Sequence, residues 1–175
     1  DADPDEVLAT ILNTTICRAL AYFEFALATG DNEPLETARS LLTTAVRLAE
    51  NAENVPLWWI SSLCRHLIED LWAHSLHLNL PVDPPDGAAE RYLELRHLFS
   101  GSLFARKSSE VELWPSQCEA AGRSMDMSDD LVVALPTSAG KTRVAEIAAL
   151  MTLSVARRVL IVTPLRALSA QTERS

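Results

Sequence analysis

LVVALPTSAGKT, residues 131–142, decides how the rest of this sequence is read. Its first five residues, Leu131, Val132, Val133, Ala134 and Leu135, are a short apolar run of the kind that forms a buried strand. Small and polar residues follow, with one glycine, Gly140. From Thr142 to Ala156 the apolar positions Val144, Ile147, Leu150, Met151 and Leu153 recur at helical spacing. A loop between a strand end and a helix start carries unpaired N–H groups at the positive end of the helix dipole. It is therefore a natural cradle for phosphate. Gly140 lets the backbone approach the phosphates closely. Lys141 brings a mobile positive charge to the β- and γ-phosphates, and Thr142 offers a hydroxyl to Mg²⁺. ATP with Mg²⁺ is the expected ligand.

Downstream, residues 158–162 (RVLIV) are a second buried-strand run, which Pro164 ends before another helix begins. Strand, loop, helix, strand, helix is a βαβ unit, so a parallel sheet with a right-handed crossover is expected here.

Upstream the pattern is helical. A helix over residues 5–29 is marked by Val7, Leu8, Ile11, Leu12, Leu20, Phe23 and Leu27, and Gly30-Asp31-Asn32 stops it. Pro34 starts a second, with Leu35, Ala38, Leu41, Leu42, Ala45, Val46 and Leu48. Pro56 opens a third, running to about Leu78, with Trp58, Trp59, Leu63, Leu67, Ile68, Leu71 and Trp72. The stretch NLPVDPPDG, residues 79–87, reads as a loop. A fourth helix over residues 88–99 carries Tyr92, Leu95, Leu98 and Phe99, and a short one occupies residues 115–122. No motif repeats at a fixed period. The expected organisation is an all-α helical domain (1–100), a linker (101–112) and the incomplete start of a parallel-sheet domain (113–175).

Three segments carry a family resemblance. P-T-S-A-G-K-T resembles motif I, the Walker A phosphate loop, of superfamily 2 DEAD/DExH-box helicases, and most of all of their Ski-like branch. Leu135 is bulkier than the small residue usual at its position. LWPSQCEAA, residues 113–121, resembles the Q-motif region, and VLIVTPLRALSAQ, residues 159–171, resembles motif Ia. The resemblance implies a RecA-like P-loop domain in which Pro136, Thr137, Ser138, Ala139, Gly140, Lys141 and Thr142 hold the nucleotide. Lys141 and Thr142 would serve catalysis, and Thr142 the Mg²⁺. Gln117 would read adenine, since an amide pairs a donor and an acceptor with adenine N7 and N6. Thr163, Pro164 and Arg166 would touch the backbone of an RNA or DNA strand. Hydrolysis in this family also needs a D-E-x-H or D-E-x-D strand-end motif and a second RecA-like domain, and neither occurs within these residues. The sequence thus reads as the N-terminal piece of an ATP-dependent helicase that does not by itself turn ATP over.

Charge bounds the partners. Residues 1–110 carry 17 acidic and 8 basic side chains, whereas residues 111–175 carry 7 of each. Nucleic acid would not be drawn to the acidic front, which is left for a protein partner. The three cysteines, Cys17, Cys64 and Cys118, are far apart and suit a reducing, cytoplasmic setting. No apolar run is long enough to span a membrane. Cys64, His66, His74 and His77 lack metal-site spacing, Ser138 has no triad partner, and Trp58, Trp59, Trp72 and Tyr92 read as core. Glu146, a turn beyond Lys141, is solvated or paired to Arg143. Two rivals stand beside the helicase: a double-strand translocase or restriction-type motor subunit, and a helical adaptor with a regulatory nucleotide switch.

Overall fold

A computed structural model of the chain describes residues 3–83, 88–128, 130–136 and 140–162. Helices form where apolar positions return every three or four residues, and local chemistry sets several of their ends. The first, α1 (Pro4–Thr29), starts with Pro4 behind Asp3, whose carboxylate accepts the Asp5 N–H at 3.1 Å. It ends at Gly30, which takes the left-handed conformation (φ 82°) and donates to the Ala26 carbonyl. Helices α2 (Asn32–Asn51) and α3 (Val55–Ala73) follow, α3 capped by the Asn54 side-chain Oδ1, which accepts the Leu57 N–H.

These three helices share one core. Leu12, Ile16, Ala19, Phe23 and Ala26 on α1 meet Leu35, Ala38, Leu42, Ala45 and Ala49 on α2, and Leu57, Ile68 and Trp72 on α3. The steps of three and four residues make a seam like that of a helical bundle, and its alanines let the backbones approach closely. An Arg39 fork to both carboxylate oxygens of Glu69 (2.9 and 2.6 Å) ties α2 to α3 at the rim.

The third helix stops earlier than its sequence pattern predicts. It ends at Ala73, and a separate turn, α4 (Leu76–Asn79), follows. The cause is tertiary: Leu76 N–H donates to the Val111 carbonyl and Leu113 N–H to the His74 carbonyl, each at 2.8 Å. This antiparallel bridge between Ser75 and Glu112 takes backbone groups that a continuing helix would use. It also pins the segment leading into the next helices.

Helix α5 (Ala89–Phe104) runs five residues past its expected end and into the stretch read as linker. It shares a second core with the short α6 (Pro115–Arg123) and with α7 (Lys141–Ser154). Leu76, Leu80, Tyr92, Leu103, Leu113, Ala121, Ile147, Leu150 and Met151 form it. This core therefore draws on residues from both sides of the expected linker.

The parallel sheet is not present among the described residues. Residues 131–135 and 158–162 form no helix or strand, and the Ser75–Glu112 bridge is the one β contact among the described residues. Val132, Leu160 and Val162 lie 91%, 87% and 81% exposed. A parallel strand exists through its hydrogen-bonded neighbours, and among the described residues neither run is paired with one.

His77 locks the two halves together. Its Nε2 donates to the Leu27 carbonyl at 2.8 Å, and its ring stacks on Trp72 with centroids 5.8 Å apart. Gly30 makes the room, because a Cβ there would stand 2.7 Å from His77 Nδ1. Burial lowers the His77 pKa from 6.5, the charges of Arg96 and His97 add to this, and the Leu27 hydrogen bond opposes it. The folded state therefore favours the neutral ring. Its contribution to stability is full above pH 6.5 and is lost as pH falls below that value through the folded pKa. Urea midpoints should drop between about pH 7 and about pH 5, and a His77→Gln variant should show a flatter profile over that window.

Candidate functional site

The site is built where α6 meets the start of α7. Trp114 precedes Pro115, the first residue of α6, and has extended backbone angles. Gln117, one turn in, folds back so that its Oε1 accepts the Trp114 N–H at 2.9 Å. This half of a capping box satisfies a donor that the helix leaves open. The Gln117 side chain is buried, and its Nε2 donates to the Gly140 carbonyl at 3.4 Å. The amide thus links the cap of one helix to the first residue before the next. One lone pair and one N–H of the amide remain beyond these two bonds.

Gly140 is left-handed, with φ 73° and ψ 36°. Its carbonyl receives the N–H groups of Arg143 (3.0 Å) and Val144 (3.3 Å), which starts α7. A Cβ on Gly140 would lie 1.9 Å from Gln117 Nε2. Glycine is required here twice over, by the backbone angle and by the close amide. Lys141 and Thr142 occupy the first turn and are exposed. Lys141 reaches back, and its Nζ donates to the Leu135 carbonyl at 2.8 Å. The exposed cation is thus held by one backbone oxygen, on the residue before Pro136. Pro136 is also exposed. Thr137, Ser138 and Ala139 in the loop, and Thr163, Pro164 and Arg166 beyond residue 162, lie outside the described residues.

A charged network joins the first turns of α7 to the end of α5 and the segment after it. Arg143 is buried and pairs with Glu110 and with Glu146, while its guanidinium carbon lies 5.8 Å from the Phe99 ring centroid. Arg106 pairs with the same two carboxylates, at 3.0 Å to Glu110 and 3.2 Å to Glu146. Burial raises the Glu110 pKa, but the Arg106 hydrogen bond and the Arg143 charge outweigh it, so the net shift is downward. Burial likewise opposes the charge on Arg106, and its hydrogen bonds to both glutamates overcome that. The local pairs, Arg143 with Glu146 and Arg106 with Glu110, sit at helical spacing and are visible in the sequence. The crossing of the two pairs is not, because it joins residues more than thirty positions apart.

The aromatic residues expected to be core divide, with Trp59 the exception. Trp72 and Tyr92 are core, Trp58 packs against the first core, and Trp59 is 56% exposed. No group of three metal-ligating side chains exists among the described residues. No helix among them is long and apolar enough to cross a membrane.

Residues 114–175 match the DEAD/DEAH box helicase family. The chain is 28% identical over 151 residues, 84% of its length, to the Hachiman protein HamB of Bacillus cereus. That similarity is too long to lie in the motif region alone, so it takes in much of the helical front. Over 68 residues, 39% of its length, the chain is 35% identical to the ATP-dependent DNA helicase Hel308 of Methanocella arvoryzae. The chain spans 13% and 9% of the lengths of these two relatives. The family match and the helicase relative support a helicase superfamily for the region from residue 114 onward.

Proposed function

We propose that this chain carries the nucleotide-gripping part of an ATP-dependent helicase related to the Ski-like DExH enzymes. The observation that carries the reading is the left-handed Gly140 at the start of α7, followed by an exposed Lys141 held by the Leu135 carbonyl, inside the stretch that matches the helicase family. Gly140 and the loop from Pro136 through Ala139 would cradle the phosphates of ATP. Lys141 would exchange the Leu135 carbonyl for the β- and γ-phosphates, and Thr142 would hold Mg²⁺. The remaining N–H and lone pair of Gln117 would serve adenine, once the base displaces what covers the amide. Residues 131–135 and 158–162 would become neighbouring strands of a RecA-like sheet, which would cover Val132, Leu160 and Val162. Thr163, Pro164 and Arg166 would then meet a single strand of RNA or DNA. The division into a helical domain (1–100), a linker (101–112) and a nucleotide domain (113–175) belongs to this reading, as do a cytoplasmic setting and a protein partner on the acidic front.

The test is Mg-ADP and Mg-ATP binding by the chain. Weak binding is expected, reduced about tenfold to a hundredfold by Lys141→Ala, the range for a lost charge-assisted contact. Turnover is not expected. Binding unchanged by Lys141→Ala would defeat the phosphate reading, and a Lys141-dependent hydrolysis rate would defeat the expectation of no turnover.

A further inference from the structure

We infer that Arg143 is a positioning residue for the phosphate loop, and that through it the grip on nucleotide depends on the segment joining the helical front to the site. This inference rests on the nucleotide reading above. Arg143 directly follows Lys141 and Thr142 but turns the other way. Its side chain is only 7% exposed, and it is held by Glu110 from the segment after α5 and by Glu146 one turn along its own helix. The Phe99 ring on α5 lies beside its guanidinium. Arg106, just beyond α5, completes the ring of charges by taking both glutamates.

A buried guanidinium with two carboxylates has few alternative positions. Leaving it unpaired is costly, and its planar fork fixes direction as well as distance. The first turn of α7 therefore cannot rotate or slide without breaking contacts to residues 99, 106 and 110. That turn presents the N–H groups and the Lys141 side chain that the phosphates would meet. Gln117 holds the same turn from the other side through the Gly140 carbonyl. Gly140 and the first turn of α7 are thus held between α6 and the end of α5, and motion of α5 reaches that turn through Arg143.

Glu110→Gln tests this with least damage, because Glu110 is half exposed and lies outside any helix. Two quantities are read on the chain: Mg-ADP affinity, with a fluorescent ADP analogue as probe, and amide hydrogen exchange. The expected result is affinity about tenfold weaker. Exchange should quicken at Arg143 and Val144, whose N–H groups bond to Gly140, and stay unchanged across α1 to α3. Arg143→Lys should fall between Glu110→Gln and the parent chain, since an ammonium keeps the charge but not the fork. Wild-type affinity and exchange in Glu110→Gln, with binding still lost in Lys141→Ala, would overturn the positioning role and leave the nucleotide reading intact. Faster exchange throughout α1 to α3 would make the network a general stabiliser and also overturn it. If the parent chain shows no Lys141-dependent binding, the nucleotide reading fails and this inference fails with it.

Discussion

Gly140→Ala is expected to cost about 3 kcal/mol of stability and to abolish nucleotide binding in the same step. Two effects add. The backbone at position 140 is left-handed, at φ 73°, and an L-residue with a Cβ pays about 1–2 kcal/mol to stay there. The new Cβ would also stand 1.9 Å from Nε2 and 3.2 Å from Cδ of Gln117. The amide is the end of a flexible side chain, so it can leave, but it is buried and caps Trp114. Moving it breaks the bonds to the Trp114 N–H and the Gly140 carbonyl, at about 1 kcal/mol each. The start of α7 and the cap of α6 loosen together. Urea denaturation of Gly140→Ala, Gln117→Ala and the double variant reads this directly. The double variant should recover at least about 1 kcal/mol relative to additivity, because the clash is then gone. Additive losses would mean that the amide and the glycine do not meet.

Trp72→Ala should lower stability by about 3–5 kcal/mol, the range for a buried aromatic cut back to alanine. Trp72 is only 5% exposed, packs among α1 and α2 residues, and forms the flat surface on which His77 stacks. Its loss leaves a cavity and also frees the ring that reaches the Leu27 carbonyl. Trp59→Ala is the control. It is the same residue type on the same helix, and it is 56% exposed, so a change within about 0.5 kcal/mol is expected. Equal losses from the two would contradict the face that α3 turns to its neighbours.

Trp59 and Trp72 also show where the sequence pattern misleads. Both belong to the apolar set expected on the third helix, together with Leu63 and Leu67, yet Trp59, Leu63 and Leu67 face outward. Ser61, which no hydrophobic pattern would select, is fully buried in the α3 face. The same holds on α1, where Val7 and Ile11 are exposed and Ala19 and Ala26 are at the centre. Close helix packing selects small residues at the seam, and periodicity weighted by side-chain size passes over them. On α2 the pattern agrees with the core at Leu35, Ala38, Leu42, Ala45 and Val46, where polar residues mark the opposite face, but Leu48 of the same set is exposed.

What the sequence determined by itself was local. Asp3-Pro4 and Gly30 bound the first helix, Pro115 starts α6, and Gly140-Lys141 marks the start of α7, because caps, prolines and left-handed glycines act within a few residues. The helicase-family region from residue 114 onward was legible for the same reason, since the motifs that mark it are runs of consecutive residues. The tertiary structure decided what depends on distant partners. The break of α3 at Ser75 needs residues 111–113, the seat of Gln117 needs Gly140, and the burial of Arg143 needs Glu110. The runs at 131–135 and 158–162 mark the limit from the other side. Their composition suits buried strands, but a strand exists only through hydrogen bonds to a neighbour, and among the described residues no neighbour lies beside them.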